Sequence, residues 1–217
     1  MSALCTMAAF LFTLTFTACG DDDDDDDDSD ASTYEKEADG SINGYDYVDL
    51  GLSVVWATCN VGAASPELYG DYYAWGETET KSDYDSNDCE TYGLHIDDIG
   101  GTDYDVAHVK WGGTWRMPTE DEIEELIDNC TFTWMTENGV GGLRFMSNKN
   151  GKSIFLPAAG YRAGTLLKNA GYIGDYWSST PYERGTGYAY FLHFYCDNRC
   201  TLDDYREVGR SVRPVSE

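Results

Sequence analysis

The sequence predicts an α+β domain of short strands, one well-defined helix and long loops. Three observations carry that prediction. Aromatic residues form 14% of the 217-residue chain, with 17 Tyr, 6 Trp and 23 Gly, a composition suited to a β-rich, loop-rich domain with bulky anchors. Short runs with Trp, Tyr and Val at alternating positions suit half-buried pleated strands. Between Thr119 and Cys130 lie both a helix start signal and an apolar face at helical spacing.

The helix is the clearest element. Thr119 reads as an N-cap with Glu122 three residues on, a capping box, and the acidic first turn suits the positive end of the helix dipole. Ile123, Leu126, Ile127 and Cys130 then repeat on one buried face. Its carboxylates are better explained by capping and a solvated face than by acid–base chemistry.

The strand expectations follow in chain order. Tyr47–Ala57 contains two short strand-like runs around Gly51, and Tyr69–Glu77 reads as an aromatic strand. Thr78–Gly101 is polar and reads as a long loop, of a length that is usually functional or mobile. Leu143–Met146 and Ser153–Leu156 flank Asn150-Gly151, a hairpin signal. At the C-terminal end, Trp177–Pro181 and Gly209–Val215 read as framework strands around an irregular, displayed Tyr182–Val208.

The N-terminal part is different in kind. Residues 1–18 are apolar or small and uncharged, too short for a comfortable span, and end in small residues before Cys19, as a signal peptide does. No Lys or Arg precedes Lys36, so either the true start lies upstream or the signal is atypical. Asp21–Asp28 cannot bury apolar surface and repels itself, so residues 19–44 read as a disordered acidic tether, with the domain running from 45 to 217. A calcium role for the Asp run is the weaker reading, because a flexible homopolymer lacks preformed ligand geometry. The formal net charge is −26, which excludes nucleic acid as a partner by repulsion of phosphate.

Several motifs carry a resemblance. VDLGLSVVWATCNVG, YGDYYAWGE, AHVKWGGTWRMPT, SIFLPAAGYR, YWSSTP and GRSVRPV together resemble the Fibrobacter succinogenes major paralogous domain family of gut Bacteroidota lipoproteins, over about Tyr45 to Val215. WRMPTEDEIEELI also resembles a signature of formylglycine-generating sulfatase-modifying domains. Both resemblances imply a C-type lectin-like fold. Phe16–Gly20 resembles a bacterial lipobox, implying lipidation at Cys19, and the Asp run behind it resembles the export signals of surface-exposed lipoproteins. The implied location is the outer membrane, lipid-anchored and facing outward, with the anchor as the only membrane contact.

Such domains also serve as variable proteins of diversity-generating retroelements, in which adenine-specific mutagenesis rewrites Asn codons near the C-terminus. Between Tyr182 and Val208 only Glu183 and Glu207 lie outside the residues reachable from those codons. That pattern makes Tyr182–Val208 a candidate diversified segment.

Chemistry of other kinds finds little support in the residues. His95, His108 and His193 have no metal-ligand spacing, and no calcium-lectin motif is present, so no metal or cofactor is expected. Cys196 and Cys200 resemble the Cys pair of formylglycine-generating enzymes, but with one residue less between them and without the surrounding signature. A short disulfide is their other reading, although Cys59, Cys89 and Cys130 leave an odd count. The expectation is therefore a non-enzymatic binding protein for a protein or glycan ligand on a host, phage or bacterial surface. A structural or adhesive envelope role is the second reading, and an oxidase using Cys196 and Cys200 is the third.

The binding residues expected are Tyr-rich and charged, as in antibody paratopes. Tyr182, Arg184, Thr186 and Tyr190 come first, then Phe191, His193, Tyr195 and Asp197, then Arg199, Leu202, Asp203, Asp204 and Tyr205. Alternation along Ala189–Phe194 sends Leu192 and Phe194 to the core and Phe191, His193 and Tyr195 the other way. Tyr176 and Tyr188 are expected to be framework.

Overall fold

A computed structural model describes residues 38–217, so the signal segment, Cys19 and Asp21–Asp28 lie outside the described residues. The described chain opens on a hairpin. Strand β1 (Gly40–Ile42) pairs with β2 (Tyr45–Val48) through Asn43-Gly44. Both turn residues have positive φ, 49° and 87°, the requirement of the two-residue I′ turn. β1 therefore lies within the stretch expected to be tether. β3 (Val55–Ala57) continues this sheet, and β12 (Val215–Ser216) closes it in the order β1-β2-β3-β12, joining the two ends of the domain.

Two helices follow. α1 (Val106–Trp111) is capped by Asp105, whose buried carboxylate accepts from the amides of Gly101, Ala107, His108 and Met117. α2 (Glu120–Asn129) begins at the expected Thr119 with a complete capping box. Arg116 grips Glu122 in a bidentate pair at 2.8 and 2.6 Å. Burial pushes the Glu122 carboxyl up, but hydrogen bonds from Arg116 and Thr119 outweigh it and hold it below the usual range.

β4 (Cys130–Glu137), β5 (Val140–Ser147) and β6 (Ser153–Pro157) form an antiparallel meander, with Phe145 opposite Ile154. A small hairpin, β7 (Tyr161–Ala163) and β8 (Leu166–Lys168), leads to β9 (Gly174–Pro181). Then β10 (Tyr188–Tyr195) and β11 (Asn198–Tyr205) complete a three-stranded sheet in the order β11-β10-β9.

The α+β expectation is overturned. Among the described residues 39% are in strand and 9% in helix, with a single helix of seven residues or more, so the protein is mostly antiparallel β. The mixed architecture that the C-type lectin-like resemblance implies is accordingly not the one adopted. The reason is that segments without strong local signals, β4 and the β10–β11 hairpin above all, become strands through cross-strand pairing.

Two expected strands also differ. Tyr69–Glu77 is buried at Tyr72, Tyr73, Ala74 and Trp75, yet only Tyr73 makes a bridge, to Arg210. Gly209–Val215 is buried throughout but touches its neighbours by isolated bridges to Arg162, Tyr73, Tyr176 and Arg116, with regular pairing only from Val215.

One core packs α2, β5 and β6 against Leu192 and Phe194 of β10, and a second gathers Trp75, Trp111, Trp115, Trp177 and Phe191. At Gly174 a Cβ would lie 2.0 Å from the Phe194 ring, so glycine there admits that ring.

Arg213 is enclosed completely. Its guanidinium donates to Asn60 Oδ1 at 2.8 Å, to the carbonyls of Ala57 and Thr58 at 3.0 and 2.7 Å, and to that of Phe155 at 3.0 Å. Arg213→Met leaves these oxygens without a donor, and at ~1–3 kcal/mol for an unsatisfied buried group the loss is about 3–5 kcal/mol. Thermal unfolding should fall by roughly 10 °C, with Arg213→Lys recovering less than half. A fall under about 2 °C would show that the four contacts stabilise little.

Candidate recognition surface

The Tyr182–Val208 segment, expected as an irregular display loop, is mainly a regular hairpin. β10 and β11 pair from Tyr188↔Tyr205 to Tyr195↔Asn198, with Cys196-Asp197 as the two-residue turn. Alternating aromatic and apolar residues on β10 supply the pairing surface.

This register sorts the expected site residues. Leu192 and Phe194 enter the first core as expected. Phe191, expected on the binding face, is 4% exposed. It packs edge-on against Trp177 at 5.9 Å, and the Arg210 guanidinium lies 3.8 Å from its ring centroid. The cause is that the middle of the hairpin is covered on both faces, so alternation alone does not separate core from surface. Leu202, opposite Phe191, packs partly into the same cluster.

Other expected residues are spent on structure. Asp204 accepts from Arg210 Nη2 at 2.5 Å. Arg199 lies over the Phe132 ring at 3.7 Å, and burial lowers its pKa. His193 Nδ1 sits 2.7 Å from Asp175 Oδ1, and its side chain is half-buried. Tyr195 is exposed beside it, with Asp197 exposed at the hairpin turn. Arg184 is exposed and Thr186 half-buried in the connection before β10.

What the fold does bring together is a cluster of tyrosines at the open end of the hairpin. Tyr182 meets Tyr190 edge-to-face at 5.4 Å and Tyr188 at 6.2 Å, and Tyr188 lies against Tyr205 at 4.5 Å. Tyr188, read as framework, thus belongs to the surface. Hydrogen bonding to Tyr205, more than burial, pushes its hydroxyl up to about 12. Tyr176 is framework as read, buried with its hydroxyl donating to the Pro157 carbonyl at 2.6 Å.

Of the acidic half of this surface only Asp203 was expected; Glu120, Asp121, Glu124 and Glu183 were not. The start of α2 reaches the hairpin, where Thr201 Oγ1 donates to Glu124 Oε1 at 3.1 Å and Glu120 lies within electrostatic reach of Tyr190. Burial first, and then the carboxylates Glu124, Asp121, Glu183 and Asp203, push the Glu120 carboxyl up to about 7. Burial, together with Glu120, Tyr182, Glu183 and Asp203, raises the Tyr190 hydroxyl as well. No local pattern reveals this, because Glu120 and Asp203 meet only through the tertiary fold.

Among the described residues no group of three or more His, Cys, Asp or Glu is placed to hold a metal ion. Cys196 is exposed at the turn, and Cys200 is half-buried opposite His193. No helix among the described residues is long and apolar enough to cross a membrane. No protein-family model, curated protein or solved structure matches the chain.

Because folding raises the Glu120 pKa, its protonated form contributes stability below pH 4.5, and that contribution is lost as pH rises towards 7. Glu120→Gln should therefore match the wild type at pH 4 and exceed it above pH 7. Glu120 is half-buried at the edge of the surface, so solvent screening keeps the gain under about 1 kcal/mol. Paired urea titrations across that range read the difference directly, and a flat difference would contradict the crowding of carboxylates.

Proposed function

We propose that the chain is a lipid-anchored outer-membrane protein that displays the Tyr-rich end of its C-terminal hairpin to bind a protein or glycan ligand without catalysis. The observation that carries this reading is the cluster of Tyr182, Tyr188, Tyr190 and Tyr205 at the open end of a hairpin whose β10 strand is packed into two cores. Tyrosine offers large amphipathic contact at the cost of few frozen torsions, and a rigid base limits the ordering that binding must impose. The motif resemblance to Bacteroidota surface lipoproteins supports the anchor and the outward display.

The same geometry limits what a diversifying system could change. Ala189, Phe191, Leu192, Phe194 and Arg206 are buried, so variation there would break packing. Tolerated variation is confined to positions such as Tyr182, Arg184, Tyr190, Asp203 and Tyr205. A template repeat differing from this gene only at adenines, beside a reverse transcriptase, is the genomic signature expected of such a system.

Two measurements test the proposal. Cys19→Ala should abolish labelling by an alkynyl fatty acid and move the protein from the detergent phase to the aqueous phase; unchanged partitioning would remove the anchor. Full-length protein should bind members of a glycan array or a panel of purified surface proteins, and Tyr190→Ala with Tyr205→Ala should weaken that binding tenfold or more, about 1.4 kcal/mol. Undiminished binding by a folded double variant would move recognition elsewhere.

A further inference from the structure

We infer that the tyrosine surface between the hairpin and the start of α2 takes a basic polypeptide segment, with Arg or Lys side chains seated on the rings and against the carboxylates. This deepens the recognition reading above and rests on it. Glu122 is paired with Arg116, Glu77 with Lys81, Asp204 with Arg210, and Glu125 approaches Lys149. Glu120, Asp121, Glu124, Glu183 and Asp203 converge on one surface, and none forms an ion pair with Lys or Arg among the described residues. The upward shift at Glu120 reflects that unrelieved repulsion in part.

The aromatic half selects the kind of cation. Rings of Tyr182, Tyr188, Tyr190 and Tyr205 adjoin these carboxylates, and aromatic faces attract guanidinium and ammonium groups. A small metal ion fits poorly, since the carboxylates are not grouped as a ligand set. The patch also extends over three elements: the first turns of α2, the connection at Tyr182–Glu183, and the Tyr190–Asp203 cross-strand pair. A polypeptide bearing several cations can meet all three at once. Arg184, exposed beside Glu183, is the one like charge in that connection, while Asp204 is held apart by Arg210.

Charge complementarity of this kind makes binding salt-sensitive. It also couples binding to protons: an arriving cation favours ionised Glu120, so affinity rises as pH rises from 6 to 8.

The test uses the full chain and a fluorescein-labelled nona-arginine peptide, followed by anisotropy, with a Gly/Ser peptide of equal length as control. Glu120→Gln, Glu183→Gln and Asp203→Asn combined should weaken nona-arginine binding tenfold or more. Tyr182→Ala with Tyr190→Ala should do the same, with unfolding curves confirming that both proteins fold. Replacing Asp21–Asp28 by Asn should change affinity less than threefold. Tightening between pH 6 and 8 should disappear in Glu120→Gln. Wild-type affinity in the carboxylate variant, or loss of all binding on replacing the Asp run, overturns the inference. A partner that requires Tyr190 and Tyr205 but binds equally well in saturating nona-arginine also overturns it, and leaves the recognition surface standing. If neither nona-arginine nor any array member depends on these residues, both readings fail.

Discussion

Three buried arginines, Arg206, Arg210 and Arg213, tie the irregular final segment to strands and loops by side-chain contacts where regular backbone pairing is lacking. Arg206 donates to the carbonyls of Tyr188, Thr91 and Leu94 while its guanidinium lies 4.2 Å from the Trp75 ring centroid. Arg210 binds Asp204 and packs against the rings of Trp177 and Phe191. Arg213 serves four oxygens from the Ala57–Asn60 stretch and Phe155. Buried carbonyls outside regular pairing need donors, and a guanidinium supplies up to five in a fixed plane. The final segment therefore acts as a spine. Its few backbone bridges matter less than the side chains it sends into the loops.

That arrangement explains why the recognition surface is firm. Arg206 fixes the Tyr188 carbonyl at the entrance of β10, and through Thr91 and Leu94 it ties down the long polar loop alongside. Arg210 fixes β11 through Asp204 and covers Phe191 on β10. At the turn end, Phe194 fills the space left by Gly174. The tyrosines thus stand on a hairpin held at both ends, which is how a rigid scaffold presents contact residues.

Features that depend on neighbouring residues could be read from the sequence. The capping box at Thr119 and Glu122 gave the start of α2, and Asn150-Gly151 marked the β5–β6 hairpin. Asn43-Gly44 and Asn138-Gly139 carry the same kind of signal and turn the β1–β2 and β4–β5 hairpins. The β10–β11 turn, Cys196-Asp197, has no such signature, so the hairpin looked like a loop. The helix, being the most legible element, weighed too heavily in the α+β expectation. Tyr182, Tyr190, Asp203 and Tyr205 do share a surface, but Phe191, Asp204 and Arg199 serve packing, because composition does not say which charges and rings the core uses. Glu120 was out of reach, since its role depends on contact across the tertiary fold.

The boundary between core and recognition surface runs across the hairpin rather than between its faces. Tyr188, Tyr190, Leu192 and Phe194 alternate with the opposite face and so share one side, as do Arg199, Thr201, Asp203 and Tyr205. Towards the turn this side is covered: Phe194 and Leu192 lie in the core, Arg199 on Phe132, and Thr201 on Glu124 of α2. Cover ends where α2 begins, and Tyr190 and Asp203 emerge next to Glu120. The position of Thr119 therefore does more than start a helix. Capping at Thr119 sets how much of the hairpin remains open and puts unpaired carboxylates along its border.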